Sequence, residues 1–534
     1  MPDAVTDQPD RERAAIARRA GVVAIGTLFS RVLGAVRDAA IAAYFSVAAT
    51  DAFFVAWTIP NTLRRVLGEG AVSAAIVPVF SEVRETEGKE RARAYVAAIN
   101  GTMLLILSVV SVLGVLTSSF WTTLYAAGYQ NDPAKFSMTV QLTQIVFPYI
   151  LFVGMAALGM GLLNSVGRFG VAAFAPTLLN VAVILAPFLF VAPAIWLGLP
   201  SIAALALATL VGGVLQVVVQ WPELRREGLL PLPRLDFSDP AVQKTLKLMG
   251  PLVLGSGIYQ LNIMLSRLFA SYLPTGSQSF LYYAQRLVEI PQSLFALAVA
   301  SATLPSLARL KSQGEHSEAK ATLRYSLRLS LFVAIPSSVA LVVLSEPTIA
   351  VLFRRGAFGD YHVRETARAL AWMAASTWAV AAIHPITRMY YAYNDTRTPV
   401  WCSALNLVAF VAVSLSLRTQ MGHAAIAAGT SAGAVAQLLG LMWVLPKRVG
   451  DTGAAEVYRS ALRCTLASLI MGAVVYDVAR FGRWSQPDQF VRNLVVYGAT
   501  VLFGVLVYAA ACSLLRAPEL SDLQSALGRR RRRA

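Results

Sequence analysis

Apolar runs of about 20 residues recur from one end of this chain to the other, each long enough to cross a hydrocarbon layer about 30 Å thick. This feature removes most folds from consideration. Inside a bilayer every backbone N–H and C=O must be satisfied within the protein, so a spanning chain forms helices or a closed barrel. Runs such as 102–116, 178–191 and 494–511 are continuous, whereas a barrel strand alternates over about ten residues. The spans are therefore read as helices. Composition agrees: the 534 residues are 56% hydrophobic and 14% charged, far less charge than a soluble surface carries.

About fourteen spans can be drawn, roughly at 18–45, 51–80, 92–119, 137–163, 173–192, 200–221, 241–271, 279–308, 321–343, 365–392, 399–417, 423–445, 459–478 and 491–514. The first 20 residues are polar and basic, but the apolar stretch after them outruns a cleavable signal and reads as the first membrane helix. With Arg11, Arg13, Arg18 and Arg19 in the cytoplasm, even-numbered spans should end in basic segments. Arg84, Lys89, Arg91 and Arg93 follow the second span, Arg225, Arg226 and Arg234 the sixth, and Lys447 and Arg448 the twelfth. Segments 46–50, 120–134, 193–199 and 272–278 on the other side hold no Lys or Arg, with Lys135 just beyond the second. Arg354, Arg355, Arg364, Arg418, Arg480 and Arg483 fit this alternation less well.

The net charge of +17 is arranged for a membrane, and no aromatic-basic nucleic-acid module accompanies it. The arginine run at 529–533 reads as a solvated tail that fixes topology or meets anionic headgroups. The three cysteines, Cys402, Cys464 and Cys512, lie singly in apolar segments, without metal or disulfide spacing. No phosphate-cradling Gly-x-x-x-x-Gly-Lys-Ser/Thr loop, metal cluster or catalytic set is visible.

An internal likeness joins the second span, Thr58-Ile59-Pro60-Asn61 closing at Pro78, to the eighth, Val288-Glu289-Ile290-Pro291 closing at Pro305. It predicts two related bundles about an axis along the membrane normal. The expected organisation is a cytoplasmic segment 1–17, a six-helix lobe 18–221, a cytoplasmic linker 222–240 and a second six-helix lobe 241–445. Two additional helices at 446–514 and a basic cytoplasmic tail at 515–534 complete it. The extra pair would support an oligomer or supply a lateral groove for a lipid-like substrate.

Charged side chains inside these spans carry the functional reading. Arg31, Arg37 and Asp38 lie in the first span, beside a Gly26–Ser30–Gly34 stripe at four-residue intervals that allows close helix approach. The second carries Asp51, Pro60, Asn61, Arg64, Arg65 and Glu69. Arg65 and Glu69 can pair, which leaves Arg64 as the freer cation, and Pro60 with Asn61 predicts a bend. The seventh holds Gln260, Asn262 and Arg267, and the eighth Tyr282, Gln285, Arg286 and Glu289. A charge at mid-membrane costs about 2.5 to over 10 kcal/mol, so these arginines must reach water, headgroups or partners. Some could snorkel from helix ends or be neutralised by Asp38, Asp51, Glu69 and Glu289. Clustered together, they suit an anionic substrate in a wet cavity. Guanidinium stays charged and its fork matches phosphate oxygens, so a diphosphate fits several such groups. Asn61, Gln260, Asn262, Tyr282 and Gln285 could serve sugar hydroxyls.

These stretches resemble the MurJ/MviN family, the lipid II flippases of bacterial cell-wall synthesis. The likeness is carried by Phe29-Ser30-Arg31-Val32-Leu33-Gly34 with Arg37-Asp38-Ala39, by Thr50-Asp51-Ala52-Phe53-Phe54-Val55-Ala56, by Pro60-Asn61-Thr62-Leu63-Arg64-Arg65 with Glu69-Gly70-Ala71, and by Phe147-Pro148-Tyr149. Phe174-Ala175-Pro176-Thr177-Leu178-Leu179-Asn180 and Tyr282-Tyr283-Ala284-Gln285-Arg286-Leu287 add to it, over about 20–515. The resemblance implies an exporter fold of the multidrug/oligosaccharidyl-lipid/polysaccharide type, all-α, with two six-helix lobes plus two C-terminal helices. It implies flipping of undecaprenyl-diphosphate-linked peptidoglycan precursor across the bacterial inner membrane, with both termini cytoplasmic. Arg31, Arg37, Arg64, Arg267 and Arg286 match its cavity arginines, and Asp51 an acidic position near the outer gate. Gln285 departs from an aspartate frequent in the family before the eighth-span arginine.

No cofactor is implied; the driving force would be membrane potential or a monovalent ion. Expected partners are lipid II, membrane phospholipids and other cell-wall synthesis and division proteins, with no nucleic acid. The rivals are a flippase for another polyprenyl-linked glycan, a cation or drug antiporter, and a non-transporting cell-wall scaffold. An antiporter for cations would favour an acidic, aromatic cavity over an arginine-rich one.

Overall fold

The computed structural model describes residues 26, 28–64, 73–255, 257–292, 310, 313 and 315–522. Arg65, Glu69, Pro305, the N-terminal arginines and the 529–533 run lie outside the described residues. The described chain separates into two compact units, one ending at Tyr272 and the other beginning at Leu273. Regular structure among the described residues is helical.

Unit 1 begins with α1 (28–44), α2 (Val47–Arg64), α3 (Ser73–Thr86), α4 (Gly88–Leu116) and α5 (Ser118–Ala126). A 3₁₀ turn, Ala127–Asn131, leads into α6 (Pro133–Val146) and α7 (Tyr149–Ser165). Then come α8 (Gly170–Ile184), the short α9 (Ala186–Leu189) and α10 (Val191–Trp196), α11 (Ala203–Val218), α12 (Trp221–Arg226), α13 (Pro240–Gly255) and α14 (Gly257–Ser271). Local chemistry sets several of these boundaries. Asp132 caps α6 by accepting the Lys135 amide at 3.1 Å, and Pro133 at the first position has no amide that needs a partner. Pro148 interrupts the ladder between α6 and α7 for the same covalent reason. α2 is buried nearly all round, as expected of an apolar helix inside a bundle.

Tyr95, Phe80, Phe147 and Leu158 belong to the core of unit 1. Close approach there depends on glycine: a Cβ at Gly114 would overlap the Phe147 ring. One at Gly101 would strike the backbone carbonyl of Arg234. The segment before α13 is thus laid against α4, and the Arg234 amide donates to Ala97 O at 2.9 Å. Arg91 of α4 forks onto both oxygens of Asp239, each at 2.9 Å. Burial alone would raise the Asp239 pKa, but Arg91 and the Ala241 and Val242 amides outweigh it and hold the carboxyl below its ordinary value. Lys244 meets Glu82 at 2.6 Å, and the Tyr95 and Thr245 hydroxyls meet at 2.8 Å. Residues expected to form a linker therefore act as a strap fastened to α4.

Unit 2 contains α15 (Ser277–Pro291), α16 (His316–Val343), α17 (Ser345–Phe353), α18 (Asp360–Ala374), α19 (Thr377–Ala392), α20 (Arg397–Met421), α21 (His423–Val449), α22 (Ala454–Ala479) and α23 (Phe490–Leu514). In lipid, helices associate through packing and polar contacts, because the tails are as apolar as leucine. α20 and α21 follow this rule: Gly429 and Gly433 sit against Phe410 and Asn406 so closely that a Cβ would need those groups to move. Asn406 donates to Gln437 at 3.0 Å, and Gln437 to Ser403 at 3.1 Å. α22 packs on α16, and the Tyr508 hydroxyl of α23 donates to Phe332 O at 2.7 Å. Cys402, Cys464 and Cys512 are buried and unlinked.

Two arginines that strained the charge alternation are internally accommodated. Arg354 pairs with Asp360 at 2.7 Å and donates to the carbonyls of Trp484 and Ser485 in the α22–α23 turn. Arg355 lies over the Phe490 ring, 4.5 Å from its centroid. Near the other end of unit 2, Glu519 is buried, accepting from Arg328 at 2.5 Å and from Ser460 at 2.8 Å.

Among the described residues nine helical stretches are long and apolar enough to cross a membrane. Their surroundings differ. The 133–165 stretch is 67% buried, whereas α20 is 17% and α23 22% buried. The latter two, with Trp401 and Val495 outward, present apolar faces that suit lipid.

Candidate functional site

A buried ion pair lies at the contact of α1 with α8. Arg37 donates from Nε at 2.9 Å and Nη2 at 2.7 Å to one oxygen of Asp38. Its Nη1 donates to Asn180 Oδ1 of α8 at 3.0 Å. The Asn180 amide returns a bond to Ser30 O at 2.9 Å. Pair and helix contact are thus one network, with the Arg37 and Asp38 side chains only 11% and 3% exposed. Gly26 of the small-residue stripe approaches Ala173 of α8 as expected, whereas among the described residues nothing lies within 4 Å of a Cβ at Gly34. Arg31 sits half-buried in the same helix as Arg37.

Arg64 donates from Nε to Asn61 Oδ1 at 2.9 Å, a neutral partner that orients the guanidinium without cancelling its charge, while Arg65 and Glu69, against which it was weighed, lie outside the described residues. The i to i+3 spacing puts the Asn61 and Arg64 side chains on one face at the last turn of α2. The helix is continuous through Pro60, which is buried.

Asp51, 1% exposed in α2, pairs with Lys135 Nζ of α6 at 3.1 Å. That ammonium lies 4.3 Å from the centroid of the Tyr129 ring. Tyr129 stands in the turn between spans. Burial pushes its phenol pKa well above the ordinary value, Asp51 pushes the same way and Arg267 opposes. Arg267 and Asn262 are half-buried in α14, and the Gln260 Oε1 there is buried with no hydrogen-bond partner among the described residues. These groups belong to unit 1.

Arg286 belongs to unit 2. It reaches Glu289 at 2.9 Å and lies over the Tyr282 ring at 5.1 Å. Gln285 donates to the other Glu289 oxygen at 3.4 Å. The Arg286–Glu289 face is as the spacing predicted. Lys135 and Asn180 were missed as site residues. Their partners lie 84 and 143 residues away in the chain, and no sequence pattern marks either pairing.

A bundle of apolar spans that keeps guanidinium and carboxylate groups paired in its interior is a polytopic α-helical membrane protein. The model of the family Lipid II flippase MurJ matches residues 41–495. A "Probable lipid II flippase MurJ" of Haemophilus influenzae is 34% identical, over 90% of this chain and 98% of that protein. The "Lipid II flippase MurJ" of Burkholderia cenocepacia is 36% identical, over 90% and 94%. A solved structure of a lipid II flippase MurJ in an inward closed conformation superposes with a TM-score of 0.74 at 25% identity, covering 92% of this chain and 98% of the other. An inward-facing multidrug-resistance transporter of the MATE family, 16% identical with a TM-score of 0.64, shares the fold over 82% of this chain. The chain belongs to the MurJ lipid II flippase family.

Proposed function

We propose that this protein moves lipid II, the diphosphate-linked peptidoglycan precursor, from the inner to the outer leaflet of the bacterial inner membrane. It does so as a transporter, not an enzyme. Family membership across residues 41–495 carries the reading. In it, about fourteen helices form two six-helix lobes, 18–221 and 241–445, with two further helices and both termini in the cytoplasm.

Arg31, Arg37, Arg64, Arg267 and Arg286 bind the diphosphate. Arg37 pairs with Asp38 and Arg286 with Glu289. Phosphate oxygens take over those donors when the head arrives, and the carboxylates take them back when it leaves. Such exchange avoids a stranded charge on the return step, which would cost several kcal/mol. Asn61, Gln260, Asn262, Tyr282 and Gln285 serve the sugar and peptide, Pro60 supports the bending of α2, Glu69 is a supporting or gating residue, and Asp51 acts at the outer gate. Moving charge across the membrane couples the cycle to the potential or to a monovalent ion.

The prenyl tail needs guidance rather than burial, because the bilayer already dissolves it. A groove of about 960 Å³ between α16, α19, α21 and α22 suits it, lined by Leu327, Leu331, Ile335, Trp378, Leu438 and Leu469. Arg324 stands at its rim, bonded to Thr452 O at 3.2 Å. Phospholipids cover the remaining apolar faces, and cell-wall synthesis and division proteins are further partners.

The test is leaflet-resolved transport of lipid II in proteoliposomes, with other polyprenyl-linked glycans as competitors. Transport by wild type and its loss in Arg64→Ala are expected. Equal movement of an unrelated lipid-linked glycan would overturn the substrate assignment.

A further inference from the structure

The 3₁₀ turn Ala127–Asn131 joins three helices of unit 1 that lie far apart in sequence. The Gly128 amide donates to Ser271 Oγ at the end of α14, at 3.0 Å. A Cβ at Gly128 would lie 2.5 Å from the Ser271 carbonyl oxygen, so turn and helix end touch backbone to backbone. Arg267 precedes Ser271 by four residues, one turn back on α14. The next residue of the turn, Tyr129, is 4% exposed and holds its ring beside Lys135, which reaches Asp51 of α2.

Lys135 meets Asp51 Oδ2 at 3.1 Å as a point charge on a flexible stem, not as the two-pronged fork of an arginine. Both charges also have a substitute partner in Tyr129. The ring face can carry the ammonium once the carboxylate lets go. The phenol hydroxyl is buried with no hydrogen-bond partner among the described residues, and the Asp51 charge acts on it, so it is the donor at hand for the carboxylate once the ammonium leaves. A pair with a substitute for each member can open without leaving a bare charge.

We propose that Lys135 is a positioning residue whose pairing with Asp51, backed by Tyr129, is a reversible lock joining α2, α6 and the end of α14, opened and closed once in each transport cycle. This rests on the flippase reading above. Sequence order hides it, because the partners are 84 residues apart and Lys135 reads there as a loop-edge charge.

The experiment uses the full chain in proteoliposomes, with leaflet-resolved lipid II transport and amide hydrogen exchange over 127–136 as separate readouts. Lys135→Ala should slow transport roughly tenfold or more and raise exchange, as expected for loss of a charged hydrogen bond. Lys135→Arg, which keeps the cation over the Tyr129 ring, should restore most of the rate. Tyr129→Phe should keep the protected exchange pattern yet slow transport, which a static brace would not do. Wild-type transport in Lys135→Ala, or in Tyr129→Phe, overturns the lock. If wild type moved no lipid II, the flippase reading would fail by itself. Unchanged exchange in Lys135→Ala would then overturn the lock independently.

Discussion

Arg37→Ala would do more than remove one cation. It leaves the Asp38 carboxylate, 3% exposed, without the guanidinium that now donates to it at 2.7 and 2.9 Å, and it takes away the donor to Asn180. Removing one member of a buried pair destabilises by about 3–5 kcal/mol, because the survivor stays buried and charged. The Asn180 bond does not add to this in full, since the groups form one network. Adding Asp38→Ala removes the stranded charge and should return stability to within about 1 kcal/mol of wild type. Reversible denaturation in detergent, run beside lipid II transport, separates the two roles of Arg37. The single variant should be unstable and inactive, and the double variant stable and still inactive. A single variant as stable as wild type would refute the buried-pair reasoning. A stable double variant that transports normally would refute the assignment of Arg37 to the diphosphate.

Three further outcomes follow from the packing. Gly101→Ala should lift the Arg234 strap from α4, costing about 1–3 kcal/mol, with faster amide exchange at 229–239; unchanged exchange would show that the strap has room to yield. Asp239 has a folded pKa below its ordinary 3.8, so its contribution is complete above that value and is lost as pH falls through the folded value. An acid melting series should show that loss in wild type and a smaller one in Asp239→Asn. Arg328→Met should free the 517–522 segment by leaving the buried Glu519 carboxylate without its cation, seen as new proteolysis there, and adding Glu519→Gln should reverse it.

The spans were legible because lipid leaves the backbone little choice but helix, so long apolar runs map onto structure. Pairs made by local spacing were legible for a similar reason: Arg37 beside Asp38, and Arg286 three residues before Glu289. Partners brought by tertiary packing were not. Asn180 is 143 residues from Arg37, Lys135 is 84 from Asp51, and Glu519 is 191 from Arg328. No periodicity encodes such distances. The Arg64–Asn61 bond was within reach of the same local reasoning, since three residues separate them, but the amide was read there only for the bend at Pro60 and for sugar hydroxyls. The strap on α4 escaped notice because Pro-rich polar composition reads as a loose connection, and only the glycine at 101 hints at something lying across the helix.

The Arg354 clasp bears on what unit 2 can do when it moves. One cation ties the end of α17 and the start of α18 to the hairpin bend between the final two helices. Swinging that hairpin outward would strip two carbonyls and a guanidinium of their mates at the same instant. The rim of this half should therefore travel as a stiff plate, with any flexing displaced to joints farther along the chain.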